Sequence, residues 1–265
     1  MKHRTGIRLL ARARSPGVRL LIPNLITIMA LCCGLTGIRF AIQNQWELAV
    51  GAIVVAAILD GFDGQVARLI KGQSRFGAEL DSFSDFVCFG VAPAMILFLW
   101  TTQDARGLGW ACALFFAICA ALRLARFNLT IDNPPMFASR FFIGASAPAA
   151  ACIGLLPLIL NLETGRSAFA NPVVVSLWMV FVGLFMVSSI PTYALKGWKL
   201  PVILVVGLVA TGVLGAPWMT LAGCILIYLA TIPLSFLSYR KLTAAVLKGT
   251  DVNAPAPDKP GERIA

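Results

Sequence analysis

At 265 residues, with 58% hydrophobic and 13% charged side chains and a mean hydropathy of +0.83, the chain is too apolar to be a soluble globular domain. Its net charge of +10 and pI near 9.7 would suit a nucleic-acid binder, but the basic residues lie between apolar runs. There they match the cytoplasmic bias of membrane proteins and the pull of anionic lipid headgroups, so membrane lipids and no nucleic acid are the expected partners. An all-α, polytopic integral membrane bundle in one domain is predicted.

Residues 1–20 hold six Lys or Arg and no acid, and read either as an amphipathic segment on the membrane surface or as a disordered topogenic tail. Eight apolar spans follow, at 21–42, 48–69, 82–101, 107–128, 143–161, 172–191, 200–215 and 217–238, within a membrane domain of 21–240. The first is too long for a signal-peptide core and is read as retained. Pro201 and Pro217 stand where helices would begin. Residues 241–265, ending APAPDKPGERIA, have no apolar period and read as a disordered cytoplasmic tail. With the N-terminus in the cytoplasm, only Arg39, Arg106 and Arg166 of the 22 Lys and Arg fall outside, which sets the expected orientation. The seven cysteines all fall inside spans with no C-x-x-C pair, and read as small packing residues. His3 is the single histidine and lies in the basic tail, which argues against Ser-His or Cys-His chemistry and against His ligation of a metal.

The polar exception is DGFDGQVARLIKGQSRFGAELDSFSD, residues 60–85. The chain has twelve Asp and Glu, and Asp60, Asp63, Glu79, Asp81 and Asp85 crowd into this stretch. Asp60 closes one apolar run, while Asp81 and Asp85 open the next, so the acids flank the ends of two membrane helices, where a carboxylate is expensive. On helices, Asp60 and Asp63 share a face at i, i+3 and Asp81 and Asp85 at i, i+4. Acids that snorkel, or that pair with Arg68 and Arg75, account for one pair but not for the joint spacing. Four converging carboxylates repel unless cations lie between them, and an all-oxygen set suits Mg²⁺ or Mn²⁺. The expected site is therefore a divalent-metal centre of two ions. Gly64 and Ala67 leave room beside the backbone, Arg68 offers an anion partner, and Gly77 permits a close approach before the second acid pair.

The pattern Asp60-x2-Asp63-Gly64-x2-Ala67-Arg68-x8-Gly77-x3-Asp81-x3-Asp85 resembles the signature of the CDP-alcohol phosphotransferases, integral membrane enzymes of phospholipid synthesis. Within that family the passages LDSFSDFVCFGVAPA (80–94), LRLARFN (122–128) and SSIPTYALK (188–196) resemble the bacterial branch whose acceptor is L-serine. FFIGASAPAAA (141–151) does so in part, with Gly144-Ala145-Ser146 where that branch has Gly-Leu-Pro. The resemblance covers residues 20–200. It implies transfer of a phosphatidyl group from CDP-diacylglycerol to the hydroxyl of L-serine with release of CMP, at the cytoplasmic side of the cell membrane, by a homodimer. Asp60, Asp63, Asp81 and Asp85 are implied as metal ligands, Asp85 also as the base that takes the hydroxyl proton, and Gly64, Ala67, Arg68 and Gly77 as the CDP cradle.

Two further clusters stay open between readings. Asn24, in IPNLIT, is either a helix cap or, by the same resemblance, a contact to the nucleotide. Arg123 and Arg126 either snorkel and answer the helix dipole or bind the phosphates or the serine carboxylate, where a guanidinium offers a two-pronged fork. Other acceptors, namely glycerol phosphate, inositol phosphate or choline, fit the motif equally well. An intramembrane cation transporter is the rival from another class, though its polar groups would be expected near mid-membrane on broken helices and not at one rim.

Overall fold

The computed structural model describes residues 16–70, 74–105, 107–131, 141–143, 146–188, 191–193 and 215–247. The first helix, α1 (Pro16–Ile42), starts earlier than residue 21, with Pro16 in its opening turn where a missing N–H is harmless. A three-residue turn, in which Asn44 takes a left-handed φ of 58°, returns the chain into α2 (Trp46–Leu69). The short link makes α1 and α2 antiparallel neighbours. They pack closely: a Cβ on Gly37 would lie 3.2 Å from the Ala49 carbonyl oxygen.

The next span starts with α3 (Arg75–Asp85), well before the predicted residue 82. Ser74 is the reason, since its hydroxyl accepts the Gly77 N–H at 2.9 Å and satisfies one of the donors that a helix start leaves over. A wide π turn (Phe86–Val91) follows, then α4 (Ala92–Trp100). Small residues let α1 approach this span: Cys88 Sγ donates to Ala30 O at 3.3 Å, Ser84 Oγ donates to Thr27 O at 3.3 Å, and a Cβ on Gly34 would stand 2.6 Å from Cys88 Sγ. α5 (Gly107–Ile131) packs on the π turn, with Ala120 2.9 Å from where a Gly90 Cβ would be.

The expected span 143–161 is broken. Ile143 belongs to a short strand, β1 (Phe141–Ile143), which pairs antiparallel with β2 (Pro191–Tyr193), so that Phe141 faces Tyr193. The helical part splits into α6 (Ala147–Gly154) and α7 (Leu156–Thr164), bent by 44°. Pro157 explains the break, because it has no N–H for the carbonyl of Ile153 four residues back. Trp178, on α8 (Pro172–Val187), supplies the missing donor: its indole Nε1 bonds Ile153 O at 2.8 Å. The last element, α9 (Pro217–Leu247), runs past the predicted limits of 238 and 240, since Lys241, Leu242, Ala244 and Ala245 are good helix formers.

Among the described residues, Leu21–Ile42, Trp46–Leu69, Arg75–Trp100 and Gly107–Leu129 are long and apolar enough to cross a bilayer, with α6 and α7 a fifth if the bent pair is one span. Apart from the two short strands they are all helical, and the predicted bundle of membrane helices is what is found. Large apolar side chains such as Ile118, Leu177 and Phe181 face outward, as they must where the solvent is lipid. The expected span at 200–215, but for Gly215, lies outside the described residues, as do residues 1–15 and the tail after Leu247.

Candidate functional site

Helices α1, α2 and α3 converge at the end where both acid pairs lie. Carboxylate oxygens of Asp60, Asp63 and Asp81, one from each, lie within 4.8 Å of one another, so the i, i+3 pair on α2 meets the first acid of α3. Three negative groups at that separation in a protein interior repel by several kcal/mol, roughly 4 kcal/mol per pair at 4 Å even with an effective dielectric of 20. An oxygen-only set of this kind fits a hard divalent cation. Asp85 is set apart from the trio: its carboxyl lies near that of Asp60, while its Oδ1 is buried with no hydrogen-bond partner among the described residues. An orphaned, buried carboxylate oxygen beside a second carboxylate also fits a cation or a proton donor.

Beside the trio opens a cavity of about 260 Å³. α1 contributes Asn24 and Thr27, α2 contributes Asp63, Gly64 and Ala67, and α3 contributes Gly77 and Asp81, while Ser74 closes the near edge. Of the residues singled out in the sequence beyond the acids, Asn24, Gly64, Ala67 and Gly77 share this wall. Glycine at 77 leaves this approach open, because a Cβ would meet Asn24 Oδ1 at 2.8 Å and Ser74 Oγ at 3.1 Å and push those side chains aside. Arg68 is the exception: it is exposed, turns back along α2 so that Nε donates to Gly64 O at 3.0 Å, and does not line the cavity.

The two arginines of α5 part company. Arg123 shares with Asp85 a small hollow of about 10 Å³, room for one water, and its Nε is buried without a hydrogen-bond partner among the described residues. Its guanidinium also lies 6.0 Å from the centroid of the Phe127 ring. Arg126 instead donates from Nη1 to Val187 O at 3.0 Å, meeting one of the carbonyls that the end of α8 leaves over. Two residues on, Asn128 Nδ2 donates to Ser82 Oγ at 3.0 Å and ties α5 to the acid-bearing helix.

Sequence reasoning gave Ser74 and Ser84 no role, and Thr27 none beyond the helix start IPNLIT. Thr27 follows Asn24 at i, i+3, so it shares the face that Asn24 presents, and that spacing was a signal for it. Ser74 could have been found as a capping serine three residues ahead of Gly77. Ser84 carried no signal beyond its place between Asp81 and Asp85.

A sequence model of the CDP-alcohol phosphatidyltransferase family matches residues 20–188. Similar proteins include the CDP-diacylglycerol–serine O-phosphatidyltransferase of Mycobacterium tuberculosis (strain ATCC 25618 / H37Rv), 36% identical over 235 residues that cover 85% of this chain and 82% of that protein. The protein of the same name from Helicobacter pylori (strain ATCC 700392 / 26695) is 34% identical over 188 residues, 70% of this chain and 78% of its own. That of Bacillus subtilis (strain 168) is 38% identical over 141 residues, covering 53% and 77%. The family match takes in all four acids, the cavity beside them and both arginines of α5.

Proposed function

Because the chain belongs to the CDP-alcohol phosphatidyltransferase family, we propose that it transfers the phosphatidyl group of CDP-diacylglycerol to the hydroxyl of L-serine, giving phosphatidylserine and CMP. The observation that carries the reading is the shared wall of one cavity: two acids, Asp63 and Asp81, stand beside a strip of small residues, Gly64, Ala67 and Gly77, with the amide of Asn24 opposite. Such a wall offers a diphosphate its cation-holding carboxylates and offers a nucleotide room against bare backbone. The choice of serine as acceptor rests on the names of the relatives, which this chain matches over most of their length.

Asp60, Asp63 and Asp81 would hold a divalent cation, Mg²⁺ or Mn²⁺, and Asp85, near Asp60, would serve a second. A cation bound there supplies charge compensation for the diphosphate and for the departing CMP. Asp85 accepts the proton of the serine hydroxyl through its unpartnered Oδ1. The serine oxygen forms its bond to the phosphorus that carries the diacylglycerol, and the bond from that phosphorus to the bridging oxygen of CMP breaks. Arg123, whose Nε is buried beside Asp85 with no partner among the described residues, receives the serine carboxylate once the hollow between them widens beyond its one-water size. The site lies on the cytoplasmic face of the cell membrane, in keeping with the distribution of Lys and Arg along the chain, and a homodimer is the assembly that the family resemblance implies.

Purified protein in detergent, given CDP-diacylglycerol with Mg²⁺ or Mn²⁺, is offered L-serine, glycerol phosphate, inositol phosphate and choline in separate reactions. CMP release that needs both the metal and serine supports the proposal. Release with another acceptor and none with serine overturns the acceptor, and no release in any tube overturns the reaction.

A further inference from the structure

We propose that Thr27 is a positioning residue of the acidic site, holding the Asp63 carboxylate in the orientation that a cation needs; the inference rests on the reaction proposed above. Thr27 is 4% exposed, and its Oγ1 lies 2.7 Å from Asp63 Oδ2 and 3.1 Å from Pro23 O. One hydroxyl proton cannot serve both acceptors fully. A carboxylate is the stronger acceptor and lies at the shorter distance, so the proton belongs to Asp63. With Oδ2 engaged in this way, Asp63 is pinned in one rotamer and Oδ1 keeps its lone pairs for a ligand. Asp63 is itself 5% exposed, so the Thr27 hydroxyl replaces part of the hydration that its carboxylate would have in water.

The same residue also fixes the other acid-bearing helix. The Thr27 carbonyl accepts from Ser84 Oγ at 3.3 Å, and Ser84 sits on α3 between Asp81 and Asp85. Thr27 thus binds α2 through its side chain and α3 through its main chain, and these two bonds set the spacing at which Asp63 and Asp81 face each other. An ordinary buried threonine on a helix bonds only its own i−4 carbonyl. Here that bond is the longer of two.

Partners that orient a ligating carboxylate typically change metal affinity by about 10- to 100-fold when they are removed. Thr27→Val keeps the shape and deletes the hydroxyl, whereas Thr27→Ser keeps the hydroxyl and deletes a methyl. Two readouts are taken in detergent: the Mn²⁺ concentration that half-saturates CMP release, and the Mn²⁺ concentration that half-saturates the rise in melting temperature with no substrate present. The proposal expects both to rise at least about tenfold in Thr27→Val and to stay within about threefold of wild type in Thr27→Ser. Unchanged metal responses in Thr27→Val overturn it, as do equal losses in the Val and Ser variants, which would mean that packing alone matters. Should Thr27→Val yield no folded protein, Thr27→Ala compared with Thr27→Ser isolates the same hydroxyl and is judged in the same way. A wild-type protein that shows no melting response to Mn²⁺ sinks this inference together with the metal site, whereas a wild-type response matched by Thr27→Val sinks Thr27 alone.

Discussion

Gly77→Ala separates binding from stability in a way that follows from two distances. Gly77 is the third residue of α3, where alanine has a helix propensity better by about 0.5–1 kcal/mol. The added Cβ, however, would stand 3.1 Å from Ser74 Oγ, the hydroxyl that caps the helix through the Gly77 N–H, and 2.8 Å from Asn24 Oδ1. Weakening the cap costs on the order of 0.5–2 kcal/mol, so the two effects on folding nearly cancel and the melting temperature should move by only a few degrees. Binding has no such compensation. Asn24 must give way, and the methyl group enters the cavity of about 260 Å³ from its floor. Losing one hydrogen bond to a charged ligand is worth about 1.5–3 kcal/mol, or roughly 10- to 100-fold in affinity. Calorimetric titration of CDP into the detergent-solubilised variant, with Mg²⁺ or Mn²⁺ present, measures this directly, and a thermal melt of the same sample supplies the control. CDP affinity within twofold of wild type would refute the assignment of this cavity to the nucleotide.

The acids should divide by role. Asp63→Asn is expected to lose metal-dependent CDP binding together with turnover, whereas Asp85→Asn should still bind CDP and release CMP about 10²- to 10⁴-fold more slowly; an Asp85→Asn protein turning over at the wild-type rate excludes it as the base. Arg123→Gln removes the charge beside Asp85, so the KM for serine should rise at least about tenfold while CDP affinity holds, and steady-state kinetics showing an unchanged KM would dismiss the carboxylate contact. Trp178→Phe removes the side-chain donor to Ile153 O in an apolar interior, a loss of about 1–3 kcal/mol that should lower the melting temperature without altering metal dependence.

The acid constellation was legible because its chemistry is written in spacing. Two carboxylates at i, i+3 and two at i, i+4 must share helix faces, and the structure places Asp60, Asp63 and Asp81 together. Arg68 was not legible, because whether an arginine beside a site turns toward it or back onto its own helix depends on side-chain torsions; here Gly64 O captures its Nε. The start of α3 was missed since apolarity begins only near Phe86, and the polar turns before it, RFGAELDSFSD, look like a loop to any hydropathy window. Conversely, the apolar run at 143–161 hid a break, although Pro157 marked it: a proline inside an unbroken greasy stretch tells where a carbonyl needs another donor, but not that Trp178 would be that donor. The bond from Thr27 to Asp63 was not legible because the two residues are 36 positions apart, a separation no local pattern spans.

The wide turn at Phe86–Val91 has a bearing on how this span tolerates change in length. A π turn holds one residue more than the α-helix it interrupts, and Ala92 N accordingly bonds Val87 O five residues back. The helix after it is therefore in phase with a chain one residue shorter. Deleting one residue between 86 and 91 should convert the turn to ordinary α-helix while Asp81 and Asp85 keep facing Asp60 and the buried side of α4, with Ile96 and Leu97, keeps facing inward. The same deletion within α4 would turn everything beyond it by about 100° and drive Leu97 or its neighbours out toward lipid. The stretch next to the chemistry is thus the part of the span where a lost residue is most cheaply absorbed, and a family aligned through this point should be counted by phase and not by residue number.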